Sequence, residues 1–243
     1  MELFDLVLSY EISVMKKYLD FLSDYISTLP DKIDEEYQIK YDELIGDKDT
    51  IDNEAAEHYA GSKDDDLIEV CRDIPKYFYS SFLISCYSFI EQQLFIICKD
   101  LKIQVKLDIE ECNSFGNGIE KVKIFLRKAL SYEIPSTLWH ELTNINKLRN
   151  CLVHNGPVIF PEFELPDEND QSCSKYMFDK LELKVDIKRD LMDYLMQNKL
   201  IQNWGIQLQI IPTKEYCNRV LIFAEELLEK THHDLNKFVK SKG

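Results

Sequence analysis

Between Pro75 and Leu101, apolar residues occupy nearly the whole circumference of a helix: Phe78, Phe82, Leu83, Tyr87, Phe89, Ile90, Leu94, Phe95 and Ile97. A helix with one apolar stripe lies on a surface, but a helix that is apolar all round has to be enclosed. The fold is therefore expected to wrap around this segment. Pro75 suits its first turn, and Glu91, Gln92 and Gln93 are the polar exceptions within it.

The rest of the chain supplies the enclosing elements. Residues 2–28 place Leu3, Leu6, Ile12, Met15, Tyr18, Leu19 and Leu22 at helical spacing, with Pro30 read as the stop. Residues 31–69 read as an acidic, partly helical stretch broken near Gly46 and Gly61. A loop at Gly116 and Gly118 precedes a helix near 117–131. Pro135 opens another, which ends at Gly156-Pro157. After a polar loop from Pro161 to Ser174 the period changes. Leu181, Leu183 and Val185 alternate with polar residues, as do Ile206, Leu208 and Ile210, with a short helix near 187–199 between them. Thr213 is placed to cap a last helix, 214–238. Only seven Gly and seven Pro interrupt 243 residues, so long regular elements are favoured. The reading is one mainly α domain over 1–243. An N-terminal helix and acidic helical region occupy 1–74, the core occupies 75–238, and a small two-stranded β addition lies near 180–212.

The formal charge of −15 disfavours general nucleic-acid binding, because phosphate repels an acidic surface. Its distribution alters that expectation. Residues 31–69 hold fifteen Asp/Glu against four Lys, while 117–154 hold six Lys/Arg against three Glu. The acidity is regional and is read as a solvated helical face, in preference to an acidic docking surface. The later part of the chain remains free to meet an anion.

No leader or membrane segment is expected. Glu2, Asp5 and Glu11 interrupt the first apolar positions, and the most apolar stretch, Phe82 to Ile90, is about half the length that spans a bilayer. A cytoplasmic location follows from that reading. The seven cysteines, at 71, 86, 98, 112, 151, 173 and 217, show no CxxC pair and no zinc-ligand spacing, and are read as reduced core residues. His232-His233 lacks convincing ligand partners beyond Asp234 and is read as a solvated pair. Trp139 and Trp204 are read as core or interface residues, and His58 and His140 as isolated. No metal site and no cofactor are implied.

The informative helix is 135–155. At about 100° per residue, Leu138, Leu142, Ile145, Leu148, Leu152 and Val153 form an apolar stripe, and Arg149 falls within it. An arginine keeps its charge, so something anionic is expected to meet it. Asn150 and His154 share a neighbouring face at i, i+4. His154 also occupies the last turn, where the helix dipole favours the imidazolium, with Asn155 and Gly156 directly after it.

The string Arg149-Asn150-Cys151-Leu152-Val153-His154 resembles the Arg-x(4–6)-His motif of HEPN domains, in the form where a polar residue follows the arginine. The setting is similar as well: the motif ends a late helix, a very apolar helix with Tyr87-Ser88-Phe89-Ile90-Glu91 lies upstream, and a further helix closes the domain. The resemblance covers roughly residues 75–235 and implies a HEPN-like helical bundle. It also implies a metal-independent endoribonuclease of the toxin or antiviral-defence kind, in which the RNA 2′-hydroxyl attacks the adjacent phosphate. His154 would move the proton, Arg149 would hold the phosphate, and Asn150 would orient one of them, with Glu91 and Asn155 in support. The partners so implied are RNA, a second subunit with its motif facing the first, and an antitoxin or other regulatory protein. Two alternatives stand beside it. Arg149 pairs with a buried carboxylate, Glu91 being the obvious candidate, while His154 closes the helix end. Or the fold is a non-catalytic HEPN module that binds a nucleotide or a partner protein.

Overall fold

The computed structural model of the chain describes residues 2–45, 53–101, 108–110, 115–159, 161–162, 174–178, 181–185, 187–204 and 207–242. Helix α1 (Glu2–Ile45) is followed by α2 (Asn53–Ile68), which runs through a π-helical turn (Glu69–Asp73) directly into α3 (Ile74–Asp100). Then come α4 (Gly118–Leu130), α5 (Ser136–His154), β1 (Val158–Ile159) and β2 (Pro161–Glu162). The chain goes on through β3 (Ser174–Phe178), β4 (Leu181–Val185), α6 (Arg189–Gln197), β5 (Ile201–Trp204), β6 (Gln207–Ile210) and α7 (Lys214–Lys242). The fold is mainly α.

Helix α3 is central but not enclosed all round as its apolar residues suggest: Tyr77, Ser81, Ser85, Ser88 and Gln92 lie along one exposed face. It touches α1, α4, α5 and α7. Phe82, Leu83, Cys86, Tyr87, Ile90, Leu94 and Ile97 are all enclosed there. Each such side chain contributes about 1.5–3 kcal/mol on burial. By length and composition, the helical run His58–Asp100 is apolar enough to cross a membrane, and half of its most apolar window is buried inside the protein.

Two expectations about the N-terminal third need correction. Pro30 does not stop α1, which continues through it to Ile45. A proline removes one backbone donor, and contacts with α2 hold the helix beyond it. The Tyr37 hydroxyl donates to Asp66 at 2.8 Å, the Tyr59 hydroxyl donates to the Tyr37 carbonyl at 2.8 Å, and the two rings lie 4.8 Å apart. Gly61 breaks nothing and lies inside α2; Gly46 is outside the described residues. The acidic residues of α1 from Asp31 to Asp42 are exposed, and Lys63 reaches Asp34 at 2.8 Å, so this stretch is the solvated face its charge suggests.

The strands at 181–185 and 207–210 exist but do not pair with one another. Two three-stranded antiparallel sheets form, in the orders β1-β6-β5 and β2-β4-β3. β4 and β6 each pair with the strand just before them in the chain, Phe178 opposite Leu181 and Trp204 opposite Gln207, and each takes a second partner from further back, β2 and β1. Ile206 and most of the Pro161–Ser174 loop lie outside the described residues, as do Cys112, Cys173 and the side chain of Trp204.

Of the described cysteines, Cys86, Cys98, Cys151 and Cys217 are buried and free, whereas Cys71 is exposed and does not belong to the core. Burial pushes the Cys86 thiol up to about 12, as expected for a cysteine acting as a small hydrophobe.

Candidate functional site

The motif helix α5 begins at Pro135, whose carbonyl accepts from the Trp139 N–H at 2.9 Å. It ends where Gly156 takes φ +72°, a conformation that suits a residue without Cβ. The exit is tied down at once. The Pro157 carbonyl accepts from the Ile210 N–H at 2.7 Å, and Val158 pairs opposite Gln209. The segment leaving α5 is therefore held against β6.

The buried face of α5 comprises Leu138, Leu142, Asn144, Ile145, Leu148, Cys151 and Leu152. It includes Asn144 and Cys151 and excludes Val153, which is 45% exposed. The stripe is thus rotated away from the position that its large apolar residues suggest. Arg149 sits at its rim and is only part-buried. Because the stripe is covered within the chain, it leaves no large apolar area that a second subunit would have to cover.

The arginine meets an aromatic ring and an amide, not a carboxylate. Its guanidinium carbon lies 5.6 Å from the centroid of Tyr87, and Nη1 donates to Oδ1 of Asn150 at 2.8 Å. The Nε is buried with no hydrogen-bond partner. Glu91, one turn after Tyr87 on α3, makes no ion pair with it among the described residues. Its Oε1 instead crowds the start of α4, only 2.6 Å from where a Cβ on Gly118 would stand, and Gly118 has φ +59°. The alternative that pairs Arg149 with Glu91 is therefore corrected: the carboxylate turns to the first residue of α4.

Tyr87 lies between these charges. Burial pushes its phenol well above the ordinary value, Glu91 adds to that, and Arg149 opposes it. The ring stays neutral, a flat face on which the guanidinium rests. Sequence alone gives Tyr87 no role. The available signal is its spacing, one helical turn before Glu91.

His154 is exposed in the last turn of α5, and its ring makes no hydrogen bond among the described residues. Asn155 is exposed, and its N–H donates to the Cys151 carbonyl at 2.8 Å. The structure thus joins Arg149, Asn150 and Tyr87, keeps Glu91 apart from them, and leaves His154 open to solvent on the face it shares with Asn150.

At the other end of α5 lies a cleft of about 330 Å³ between α4 and α5, lined by Lys123, Arg127, Tyr132 and Trp139 among others. Lys123 Nζ sits 4.4 Å above the Trp139 ring. Trp139 is thus a part-buried wall of a basic cleft. His232 is not simply solvated: Nδ1 lies 3.1 Å from Asp5 and Nε2 lies 2.9 Å from Asn236, which joins α7 to α1. Among the described residues, no three His, Cys, Asp or Glu side chains gather in a way that could hold a metal ion.

No protein-family model, no curated protein and no solved structure matches the chain.

Proposed function

We propose that the chain is a metal-independent endoribonuclease whose working residues are Arg149, Asn150 and His154. The observation that carries this reading is the state of Arg149. It is a part-buried guanidinium with no carboxylate partner among the described residues, lying against Tyr87 and bonded to Asn150. A permanent charge in that setting is poised for an external anion, and the planar fork suits a phosphate.

In this reading Arg149 binds the scissile phosphate and offsets the charge that grows on it in the transition state. His154, open to solvent at the helix end, takes the proton from the attacking 2′-hydroxyl or gives one to the departing 5′-oxygen. Asn150 keeps the guanidinium in place. The products would be a 2′,3′-cyclic phosphate and a 5′-hydroxyl. A toxin or defence role in the cytoplasm, under the control of a regulatory partner, belongs to the same proposal.

A second reading rests on His154 itself. No neighbour among the described residues hydrogen-bonds its ring to fix the tautomer, as a proton-transfer imidazole commonly requires. In that case Arg149 serves a non-catalytic module that binds a nucleotide or another anionic partner. The test is incubation with RNA in excess chelator, with analysis of product ends. Cleavage to 2′,3′-cyclic ends, with DNA left intact for want of a 2′-hydroxyl, is the expected result. Binding of RNA without cleavage would move the assignment to the second reading.

A further inference from the structure

Helix α1 carries two apolar faces, and the protein uses only one. Leu8, Ile12, Leu19 and Leu22 are buried, and α1 packs on α3 and α7. Roughly a third of a turn away, Val7, Tyr10, Val14, Tyr18, Phe21 and Tyr25 recur at intervals of three and four residues, with Leu6 beside them. All are exposed, Tyr10 at 67% and Phe21 at 68%. Half of the large apolar side chains that are exposed among the described residues lie along this one stripe.

From this we infer that the α1 stripe is the seat of a homodimer, in which two copies of α1 pair antiparallel about a two-fold axis near Val14. The interface is independent of the Arg149 helix and of the ribonuclease reading.

Area is the first argument. Seven side chains exposed to this degree present roughly 700 Å² of mainly apolar surface, given that a single aromatic buries 150–250 Å². That exceeds the patch a monomer usually leaves open, a few hundred Å², and comes close to the ~800 Å² per partner of a stable interface. Tyr and Phe are also the residue types that concentrate at the centre of such interfaces.

Charge decides the kind of occupant. A chain of net −15, with Asp20 and Asp24 on the same helix, is repelled by an anionic lipid surface. Charge also decides the direction of pairing. The distal half of α1 carries Asp31, Asp34, Glu35, Glu36 and Asp42. Parallel pairing would lay that acidic half along its own copy, whereas antiparallel pairing sends the two acidic halves to opposite ends. With Val14 on the axis, Val7 falls opposite Phe21 and Tyr10 opposite Tyr18, so that small faces large at the ends of the stripe.

The test has two parts. Light scattering on the full chain at micromolar concentration is expected to give a dimer. The Tyr10→Lys/Phe21→Lys double variant is expected to give a monomer with unchanged helical circular dichroism, because neither side chain belongs to the core. A Val153→Lys variant, altered on α5, should remain dimeric. In a second measurement, made in a Cys71→Ser/Cys112→Ser/Cys173→Ser background so that the exposed Cys71 cannot cross-link, Val14→Cys under mild oxidant should form an intermolecular disulfide that the background chain and Val7→Cys do not, since only position 14 meets itself across the axis. A monomeric parent, a double variant that stays dimeric, or a Val7→Cys cross-link as efficient as that of Val14→Cys would each overturn the proposal. RNA cleavage is not a readout in either part, so failure here leaves the ribonuclease reading untouched.

Discussion

Nη1 of Arg149 donates to Oδ1 of Asn150, the next residue in the chain, at 2.8 Å. Neighbouring side chains on a helix point about 100° apart, so this contact needs the guanidinium to swing round the helix toward the face where Asn150 and His154 lie. The amide therefore ties the buried rim of α5 to its solvent side. That is how an arginine beside the apolar stripe can serve chemistry at the surface.

Arg149→Ala should then cost little stability. No carboxylate is stranded, and the losses are one part-buried hydrogen bond and one cation–π contact, together about 1–2 kcal/mol. Cleavage or RNA binding should fall sharply. Arg149→Lys should not restore it, because a lysine lacks the fork. Thermal melts alongside an RNA assay check this. A stability loss of several kcal/mol would mean that the arginine has a buried anionic partner after all.

His154→Ala separates catalysis from binding. The side chain is exposed and unbonded among the described residues, so folding should change by no more than ~0.5 kcal/mol. If the imidazole moves a proton, cleavage drops by roughly 10²–10⁴ while RNA affinity is kept. A variant that cleaves like the parent would end the ribonuclease proposal.

The central helix could be read from sequence because nine large apolar residues on one segment mark it as core, although Ser81, Ser85, Ser88 and Gln92 give it one exposed polar face. The motif helix could be read because Pro135 and Gly156-Pro157 punctuate it. Its buried face was harder to place. Asn144 and Cys151 count as polar or small in a helical projection, yet both are buried, and leaving them out turns the apparent stripe toward Val153 and centres it on Arg149. Pro30 misled for a related reason: local rules stop a helix there, and only the distant Tyr37–Asp66 and Tyr59–Tyr37 bonds show why it continues. Glu91 shows the limit at the site. Sequence places it one turn from Tyr87, but its direction depends on Gly118, which leaves room for a carboxylate where any other residue would put a Cβ.

A last prediction concerns the joint between α3 and the sheet that holds the segment leaving the motif helix. Lys76 is 3% exposed; its Nζ donates to Asp73 at 2.8 Å and to Oε1 of Gln209 at 3.2 Å. Asp73 also accepts from Arg72 Nε at 2.9 Å and from Nη2 at 2.6 Å. The Arg72 hydrogen bond, with Lys76 after it, holds the Asp73 carboxyl at about 2, below its ordinary 3.8, against the opposing effect of burial. Asp73→Ala leaves a buried ammonium facing the Gln209 amide and the Tyr77 ring, with no carboxylate bonded to it, and should cost about 3–5 kcal/mol. Lys76→Met, which removes the charge and keeps the stem, should cost less. The pH dependence has a definite sign. A carboxyl whose folded value is depressed contributes its full stability above about 3.8 and loses it as the pH falls through about 2. Melts of the parent and Asp73→Asn between pH 5 and pH 2 should therefore show a gap that is widest at pH 5 and closes towards pH 2. A gap that stayed constant over that range would mean that Asp73 is not the counter-charge of Lys76, and that the joint between α3 and β6 is held by packing alone.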